Sequence, residues 1–600
     1  MENENDQMEI MRHSLAHIMA AAVKELWPNV KFAIGPAITN GFYYDFDFSD
    51  KSISDKDFLK IEKKMKEIIR QDSEFIRSEV AIDEAIAREK NNGQIYKQEM
   101  IEDLKKAGET KVSYYKLGEF KDLCRGPHVK SSGKIKDDIF KIVKLAGAYW
   151  RGNEKNKMLT RIYAYAFPGR EKLDQFVNML EEGEKRDHRK LGKELDLFIL
   201  DPVVGAGLVI WQPKGALIWR IMEEFWYDEH LKNGYDLVRT PHIGSRGLWE
   251  KSGHWGFYAD NMYPTLEVGQ SLSEMKNGQK APVKEEYLLK PMNCPFHVSI
   301  YNSRSRSYRD LPIRYAECGT VYRYEKSGEL SGLIRVRGFT QDDAHIICAK
   351  SQIKKELKQV IDFIIYMLST FGFKDYGVYL SVHDPKNKEK YEGNEEGWKF
   401  TERILEEVAN EKKLIFKKEE GEAAFYGPKL DFKIKDCLGR EWQCSTLQFD
   451  FNLPERFDMS FINKNGKKEK PYMLHRALFG SFERFIGVMI EQYAGAFPVW
   501  LSPVQVKLLS VGSAHVKFCK KLAAQFKKQN IRVEIDENNE TIGNKIRKAA
   551  TEKIPYILVI GDKEISSPTL CVRDRGVKDT RLVSKKDFIR EIKEKIKNRN

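Results

Sequence analysis

The residues best suited to chemistry are concentrated in a few short stretches of the 600-residue chain. In YRYEKSGELSGLIRVRGFTQDDAH, from Tyr322 to His345, three arginines occur within about 15 residues: Arg323, Arg335 and Arg337. The pattern predicts a strand, a loop and a second strand, and guanidinium groups on such strands can hold a phosphate by paired hydrogen bonds. A strand pair with solvent-facing charges is the alternative.

A second stretch, HRALFGSFERFIGVMIEQYAG, combines an apolar helical stripe with one arginine. Arg484 lies between the apolar positions, and burial of an unpaired guanidinium costs much free energy. We therefore expect Arg484 to face a binding site rather than the core. The stripe consists of Leu478, Phe482, Phe485, Ile486 and Met489.

A third set of candidate residues lies in the first quarter of the chain. HSLAH places His13 and His17 four residues apart, on one face of a predicted first helix, and CRGPH supplies Cys124 and His128. Three histidines and a cysteine are a possible zinc site. The pattern is not HExxH, which excludes a zincin protease.

Hydrophobic periodicity predicts the elements that must position these residues. Residues 1–168 are typical of a mixed domain of helices and strands, and 169–195 of a charged linker helix. Residues 196–500 have strands with few crossover helices, which favours an α+β domain with an antiparallel sheet. Residues 501–600 alternate strand and helix as a βαβ unit does. We expect an α+β multidomain protein with an α/β domain at its end.

Composition excludes several classes of protein. Hydrophobic residues make up 41% and charged residues 32% of the chain, as in a globular rather than a disordered protein. No apolar run is long enough to span a membrane, and MENENDQMEIMRHS is not typical of a signal or transit peptide. Eight cysteines without a CxxC pair favour a reducing compartment. We expect a cytoplasmic protein.

The positive charge is unevenly distributed. The net charge is +13, and residues 501–600 carry 23 Lys and Arg against 12 Asp and Glu, a net charge of +11. A basic domain on a nearly neutral chain indicates a polyanionic partner, most simply nucleic acid. A solvated Lys-rich tail, KEKIKNRN, explains the last residues equally well.

Together these stretches resemble the class II aminoacyl-tRNA synthetases. The arginine-bearing loop resembles their motif 2, GSFERF their motif 3, and the helix before Pro241 their motif 1. KPMNCPFH, RVRGFTQDDAH, AFYGPKLDF and WQCSTLQFDF resemble the threonyl-tRNA synthetases in particular. The resemblance extends from His13 to about Asp579, and the order and spacing of the motifs make it specific.

The resemblance implies formation of an acyl-adenylate from ATP and L-threonine, with release of diphosphate, and transfer to tRNA(Thr). In that family Arg323 would bind the ATP α-phosphate, Arg335 would approach the triphosphate, and Arg484 would lie against the nucleotide. Mg²⁺ would accompany ATP, and motif 1 would form a homodimer. Phosphoryl transfer of this kind needs positioning and charge neutralisation more than a base, so we name no catalytic base.

The resemblance also implies one Zn²⁺ per subunit, held by Cys294, His345 and His475. Three protein ligands leave positions open, as in catalytic zinc sites. A site that requires the hydroxyl group rejects valine, which is isosteric with threonine. Gln341 and Asp343 are expected to hold the substrate ammonium and hydroxyl groups. Tyr426 and Gln443 would line the same pocket.

Serine lacks only a methyl group of threonine, worth roughly 1–3 kcal/mol, so a second, hydrolytic site is expected. The first domain resembles the editing domain of bacterial-type threonyl-tRNA synthetases, which removes serine from tRNA. We favour direct activation of water there, with a metal as the alternative. The residues so implied are His13, His17, Lys111, Asp122, Cys124 and His128.

In the last domain, NETIGNKIRKA and GDKEISSPTLCVRDRG resemble the anticodon-binding domain of the family. Asn539, Glu564 and Arg573 would contact the anticodon bases, and the positive charge would attract phosphates. The small N-terminal ubiquitin-like domain of many bacterial members is expected to be absent.

Two departures from the family lie near the active site. Phe296 replaces an expected glycine, and Tyr322-Arg323-Tyr324 replaces the commoner His-Arg-Asn. The rival hypotheses are a catalytically idle paralogue, namely an RNA-binding regulator or a free-standing editing hydrolase, and a prolyl- or seryl-tRNA ligase. An idle paralogue typically loses a motif arginine or a metal ligand, and all of these are present here.

Overall fold

The computed structural model describes residues 2–49, 51–269, 271–277 and 285–600. The chain divides into two units, one that ends at Glu181 and one from Glu182 to Asn600. This division falls within the predicted linker 169–195. The boundaries expected at 168, 195 and 500 stay predictions.

The first unit is built around a helix that is buried on all sides. Every residue from Ser14 to Val23 is buried, as expected of a helix that lies inside a core rather than on its surface. A five-stranded antiparallel sheet in the order β1-β3-β8-β7, with β2 on β3, packs beside it, and β4-β5-β6 form a separate sheet. The elements are α1 (Glu2–Leu26), β1 (Lys31–Phe32), β2 (Ala37–Ile38), β3 (Gly41–Asp47), α2 (Phe58–Arg70), β4 (Phe75–Ala81), α3 (Ile82–Asn91), α4 (Ile95–Lys106), β5 (Lys111–Leu117), β6 (Phe120–Leu123), β7 (Phe140–Tyr149), β8 (Met158–Ala166) and α5 (Arg170–Arg186).

The linker contains two helices rather than the single one predicted. The first, α5, ends at Arg186, and a short helix α6 (His188–Glu194) follows. Asp187 separates them because its side chain accepts a hydrogen bond from the backbone N–H of Arg189, which caps the second helix.

The second unit is organised on an eight-stranded sheet in the order β11-β15-β16-β23-β20-β19-β17-β18. All neighbours are antiparallel except the edge pairs β11/β15 and β17/β18. The predicted antiparallel α+β architecture is confirmed. Up to the last of these strands the elements are β9 (Phe198–Ile199), β10 (Ile210–Trp211), α7 (Pro213–Lys232), β11 (Asp236–Leu237), β12 (Ile243–Ser245), α8 (Arg246–Lys251), α9 (His254–Phe257), β13 (Leu266–Val268), α10 (Leu272–Lys276), β14 (Glu285–Leu289), α11 (Cys294–Asn302), β15 (Ile313–Tyr322), β16 (Gly338–Cys348), α12 (Ile353–Thr370), β17 (Tyr376–Val382), α13 (Glu395–Glu411), β18 (Phe416–Glu420), β19 (Lys429–Lys435), β20 (Glu441–Asp450), α14 (Leu453–Arg456), β21 (Phe461–Ile462), β22 (Lys468–Glu469) and β23 (Tyr472–Ala477).

The two faces of this sheet have opposite character because side chains alternate along each strand. Ile346, Leu474 and Phe449 are paired across three neighbouring strands and belong to the large core shared with α12 and α15 (Phe482–Gln492). One residue before or after each of these lies a polar residue on the other face. That polar face carries the candidate site.

The C-terminal part of the second unit is a five-stranded sheet in the order β25-β24-β26-β27-β28. The first three strands are parallel, as the βαβ pattern predicts, and the last two are antiparallel. The elements are β24 (Val506–Ser510), α16 (Ser513–Lys527), β25 (Val533–Asp536), α17 (Ile542–Thr551), β26 (Tyr556–Ile560), α18 (Asp562–Ser566), β27 (Thr569–Asp574), β28 (Thr580–Ser584) and α19 (Lys585–Lys597).

Candidate active site

Strand register brings the predicted metal ligands together on the polar face of the large sheet. His345 on β16 is paired directly with His475 on β23, and Nε2 of the first lies 3.1 Å from Nδ1 of the second. Cys294 begins α11 beside them, and the ligand atoms of all three residues lie within 4.8 Å of one another. Two nitrogen ligands of a tetrahedral zinc ion would lie about 3.3 Å apart, so the spacing fits such an ion.

The outer nitrogens of both histidines are held by other side chains. His345 Nδ1 lies 2.8 Å from His297 Nδ1, and His297 Nε2 lies 3.1 Å from the carboxylate of Glu317. His475 Nε2 lies 2.8 Å from the carboxylate of Asp450. Asp450 accepts the hydrogen bond from His475 Nε2. Glu317 accepts from His297 Nε2, so His297 Nδ1 carries no proton and accepts from His345 Nδ1. The two nitrogens of His345 and His475 that face each other therefore both present lone pairs. A bound cation would satisfy both, and such outer partners are typical of histidine metal ligands.

Burial affects the protonation of the trio in opposite ways. It lowers the pKa of His345 well below its ordinary value, which favours the neutral ring that a metal needs. It raises the pKa of the Cys294 thiol well above its ordinary value, so the buried thiolate requires a nearby cation. The donor set therefore fits a metal ion.

The three predicted motif arginines line one cavity of about 450 Å³ together with the trio. Arg323 follows β15, with its guanidinium 5.1 Å from the ring centroid of Phe339. Arg335 pairs with the carboxylate of Glu325 at 2.8 Å. Arg484 donates from Nε to the backbone oxygen of Ile334 at 2.9 Å and from Nη1 to that of Gln443 at 2.8 Å. Arg484 thus lies at the wall of the cavity, with its guanidinium hydrogen-bonded to backbone oxygens.

The predicted amino-acid-binding residues line the same cavity. Gln341 and Asp343 share a face of β16 with His345 because they lie four and two residues before it. Asp343 accepts a hydrogen bond from Asn293 Nδ2 at 3.0 Å. Gln443 Nε2 donates to Asp431 at 2.7 Å.

Several further cavity residues were not singled out from the sequence. Gln448 Oε1 accepts a 2.9 Å hydrogen bond from the hydroxyl of the predicted Tyr426, and Gln448 is paired with His475 across β20 and β23. Lys429 Nζ lies 2.6 Å from the buried carboxylate of Asp431. Thr446 and Gln448 lie three and five residues after the predicted Gln443 on β20, and Lys429 lies on β19, which carries no predicted site residue, so the two-residue alternation of a strand does not identify them.

The two departures from the family pattern lie at the margin of this site. The Phe296 ring packs 5.8 Å from the ring of Trp249, in a small apolar cluster with Met262 and Leu288. Tyr322 makes a 3.0 Å hydrogen bond to His242, and Tyr324 is exposed. These side chains are not among those that line the cavity.

A second cluster forms in the first unit, where α1 meets the segment after β6. Cys124 Sγ lies 3.3 Å from His13 Nε2 and 3.3 Å from His128 Nε2, and the His17 and His128 rings are 4.4 Å apart. Burial lowers the pKa of all three histidines, that of His128 to about 2, and raises the pKa of Cys124 to about 11. Near pH 7 the cluster therefore offers neutral imidazoles, whose lone pairs can hold a water molecule by hydrogen bonds or bind a metal.

The lysine beside this cluster is Lys97 on α4. Its buried Nζ lies 2.8 Å from Asp122 Oδ1, and Asp122 Oδ2 accepts a hydrogen bond from Tyr44 and lies 4.0 Å from His17 Nε2. The expected lysine, Lys111, is exposed at the start of β5. Helix α4 was not predicted from the sequence, so its buried face, which carries Lys97, escaped notice.

The predicted anticodon residues lie on two edges of the C-terminal sheet. Asn539 follows β25 and Glu564 follows β26, so both lie at the carboxyl edge of parallel strands. Arg573 on β27 is paired with Ile557, near the amino end of β26. It therefore lies about 13 Å, measured along the strands, from the residue that follows the carboxyl end of β26. Glu564 accepts a hydrogen bond from the backbone N–H of Gly561, and Arg573 Nη1 donates to the backbone oxygen of Lys578.

Among the described residues, no helix combines the length and apolar character needed to cross a bilayer.

Comparison with known proteins agrees with this geometry. Three family models match: the tRNA synthetase class II core domain (G, H, P, S and T) over residues 278–493, an anticodon binding domain over 505–595, and the threonyl and alanyl tRNA synthetase second additional domain over 112–163.

Relatives match over nearly the whole chain. The threonine–tRNA ligase of Sulfurihydrogenibium sp. is 49% identical over 599 residues, covering 100% of this chain and 90% of the relative. That of Borrelia hermsii is 47% identical, covering 98% and 97%. A solved structure, described as the RNA binding domain of threonyl-tRNA synthetase from Cryptosporidium parvum Iowa II, has a TM-score of 0.62 at 35% identity and covers 68% of this chain and 98% of its own. The chain therefore belongs to the threonine–tRNA ligase family of class II aminoacyl-tRNA synthetases.

Proposed function

We propose that this protein activates L-threonine with ATP and transfers it to tRNA(Thr). The observation that carries the proposal is the convergence of ten side chains on one cavity, although they are distributed over some 190 residues of sequence. They are Cys294, Arg323, Arg335, Gln341, Asp343, His345, Tyr426, Gln443, His475 and Arg484.

In the activation step the threonine carboxylate attacks the α-phosphorus of ATP, and diphosphate leaves as the acyl-adenylate forms. Arg323, Arg335 and Arg484 would neutralise the charge that develops on the phosphate oxygens, with Mg²⁺ carried by ATP. Such neutralisation acts through charge and hydrogen bonds, so no proton transfer from these side chains is needed.

Selection of threonine over valine would depend on a Zn²⁺ ion held by Cys294, His345 and His475. When bound, the ion offers open coordination positions to the amino and hydroxyl groups of the amino acid. Asp343, held by Asn293, would accept a hydrogen bond from the substrate amino or hydroxyl group. A valine side chain would leave these polar groups unpaired, which is the basis of strong rejection.

Serine would pass this selection in part, and the cluster of the first unit would remove it from tRNA by hydrolysis. His13, His17, Cys124 and His128 lie within contact of one another, and their neutral imidazoles would hold and activate the attacking water. Lys97 and Asp122 form the charged pair beside them, and we infer that Lys97 rather than Lys111 belongs to this editing site.

The C-terminal domain would bind the anticodon through Asn539, Glu564 and Arg573, and its positive charge would attract the tRNA phosphates. We further propose a homodimer formed through α7 and β11, the region that resembles motif 1, and a cytoplasmic location. Sedimentation of the purified protein at twice the chain mass would support the dimer.

The test of this function is threonine-dependent exchange of diphosphate into ATP, measured beside serine, valine and proline, together with zinc content. We expect strong exchange with threonine, weak exchange with serine, none with valine, and one zinc per chain. Strong exchange with proline or serine alone would point to another ligase of the class. No exchange with any amino acid, in folded zinc-containing protein, would favour the idle paralogue.

A further inference from the structure

A buried histidine outside the cavity connects three segments of the second unit. His188 is 2% exposed and lies at the first residue of α6. Its Nδ1 lies 2.7 Å from Glu491 Oε1 on α15, and its Nε2 accepts a hydrogen bond from the backbone N–H of Leu333 at 3.0 Å. Because Nε2 accepts, the ring proton lies on Nδ1 and is donated to Glu491.

The carboxylate of Glu491 is itself fully engaged. It accepts from the His188 ring and from the backbone N–H groups of His188 and Cys437, at 3.3 Å and 3.0 Å for the two backbone groups. Burial alone would raise the pKa of Glu491, but these hydrogen bonds hold it below its ordinary value. Asp187, His188 and Glu491 are close enough together to hold a metal ion. Both ring nitrogens of His188 are already hydrogen-bonded, however, so the ring has no free lone pair for a metal.

The segment that His188 holds is the loop that carries the cavity arginines. Leu333 is followed by Ile334, whose backbone oxygen accepts the 2.9 Å hydrogen bond from Arg484 Nε, and by Arg335. The chain approaches the ring so closely at Gly332 that a Cβ atom there would lie 2.1 Å from His188 Nε2, and Gly332 has a φ of +52°. The loop is therefore fitted to this imidazole.

We propose that His188 is a positioning residue for ATP: it holds the loop Gly332–Arg335 against α15, so that Arg335 and Arg484 face the triphosphate together. This inference rests on the proposed function, because the cavity must bind ATP for the loop to matter. His188 touches no substrate, and its effect passes through Leu333 and Glu491.

Two substitutions separate the two hydrogen bonds of the ring. In His188→Asn the amide can still donate to Glu491 but is too short to accept from Leu333. In His188→Gln the longer amide oxygen can reach Leu333. We expect His188→Asn to raise the KM for ATP about tenfold, the effect of one lost buried hydrogen bond, and His188→Gln to restore much of it. The KM for threonine should stay within about twofold of wild type, a change below 0.5 kcal/mol.

A matched control is available in the same unit. His383 also makes a 2.7 Å contact from Nδ1 to the carboxylate of Glu402, which also accepts a hydrogen bond from the backbone N–H of His383. His383→Asn removes an equivalent ring without touching the arginine loop, so the KM for ATP should not change.

Diphosphate exchange at varied ATP and at varied threonine distinguishes the outcomes. If wild type shows no threonine-dependent exchange, the proposed function itself is wrong, and this inference is wrong with it. If wild type is active and His188→Asn has an unchanged KM for ATP, the positioning role is wrong. A parallel rise in the KM for ATP and the KM for threonine would also overturn the positioning role. So would a His188→Asn variant that does not fold beside a His188→Gln variant that folds with an unchanged KM for ATP. In both cases His188 would be a structural residue.

Discussion

The chemistry of single side chains in the cavity depends on the residues that hydrogen-bond to them from outside it. Cys294 is buried, and its two histidine partners present inner nitrogens, while their ring protons are directed to His297 and Asp450. A cation bound there would be held by only three protein ligands, so removal of one ligand should remove the ion itself rather than weaken its binding slightly.

Cys294→Ser should therefore lose zinc and threonine activation together, with activity down at least about 100-fold, as for loss of a metal. Elemental analysis of the purified variant, in parallel with diphosphate exchange, provides the measurement. Cys519→Ser changes an equally buried cysteine in the C-terminal domain and should keep both. Full zinc occupancy in Cys294→Ser would remove the assignment.

The two candidate lysines of the first unit differ in burial, which makes a direct comparison possible. Lys97→Met should abolish hydrolysis of Ser-tRNA(Thr), because it leaves the buried Asp122 without its cationic partner. Lys111→Met changes an exposed side chain and should retain hydrolysis. Deacylation of pre-charged Ser-tRNA is the assay, and the reverse result would return the editing role to Lys111.

At the scale of elements, the carboxyl group of Glu483 connects strand β16 to α15, the helix in the stretch that resembles motif 3. Glu483 on α15 accepts the backbone N–H of Thr340 on β16 with both oxygens, at 3.2 and 3.0 Å. Burial raises the pKa of Glu483 to about 8. The folded protein thus keeps a proton there that the unfolded chain, with an ordinary pKa of 4.5, gives up at much lower pH.

Because the folded state binds the extra proton, Glu483 makes folding less favourable as the pH rises from about 4.5 to about 8. Glu483→Gln cannot ionise and keeps an oxygen for Thr340. The Tm of the variant should therefore rise relative to wild type by several degrees between pH 5 and pH 8. Thermal melting at several pH values measures this. A difference that does not vary with pH would contradict the buried, protonated carboxyl.

At the scale of the whole molecule, activation and tRNA recognition lie in different parts of the chain. Arg573 is on the C-terminal sheet, whereas the cavity lies on the large antiparallel sheet. Arg573→Ala should raise the KM for tRNA about 10-fold or more, the usual cost of a lost base contact, and leave exchange intact.

Arg590→Ala provides the control for charge alone. Arg590 is 65% exposed on α19, and its replacement removes the same charge from the same domain. If both variants raise the KM for tRNA equally, Arg573 contributes only to phosphate attraction and does not read a base.

Local patterns in the sequence were sufficient for the family and the fold class. The i, i+4 spacing of His13 and His17 already places them on one helix face, because that relation depends only on helix geometry. The motif arginines were recognisable because each motif is a short continuous run of sequence.

The tertiary structure decided what depends on distant parts of the chain. Cys294, His345 and His475 are separated by 51 and 130 residues, and only strand register pairs the two histidines. The choice between Lys97 and Lys111 depends on burial, which follows from the packing of α4. The role of His188 depends on a loop nearly 150 residues away. Register and burial are long-range properties, and no spacing along the sequence contains them.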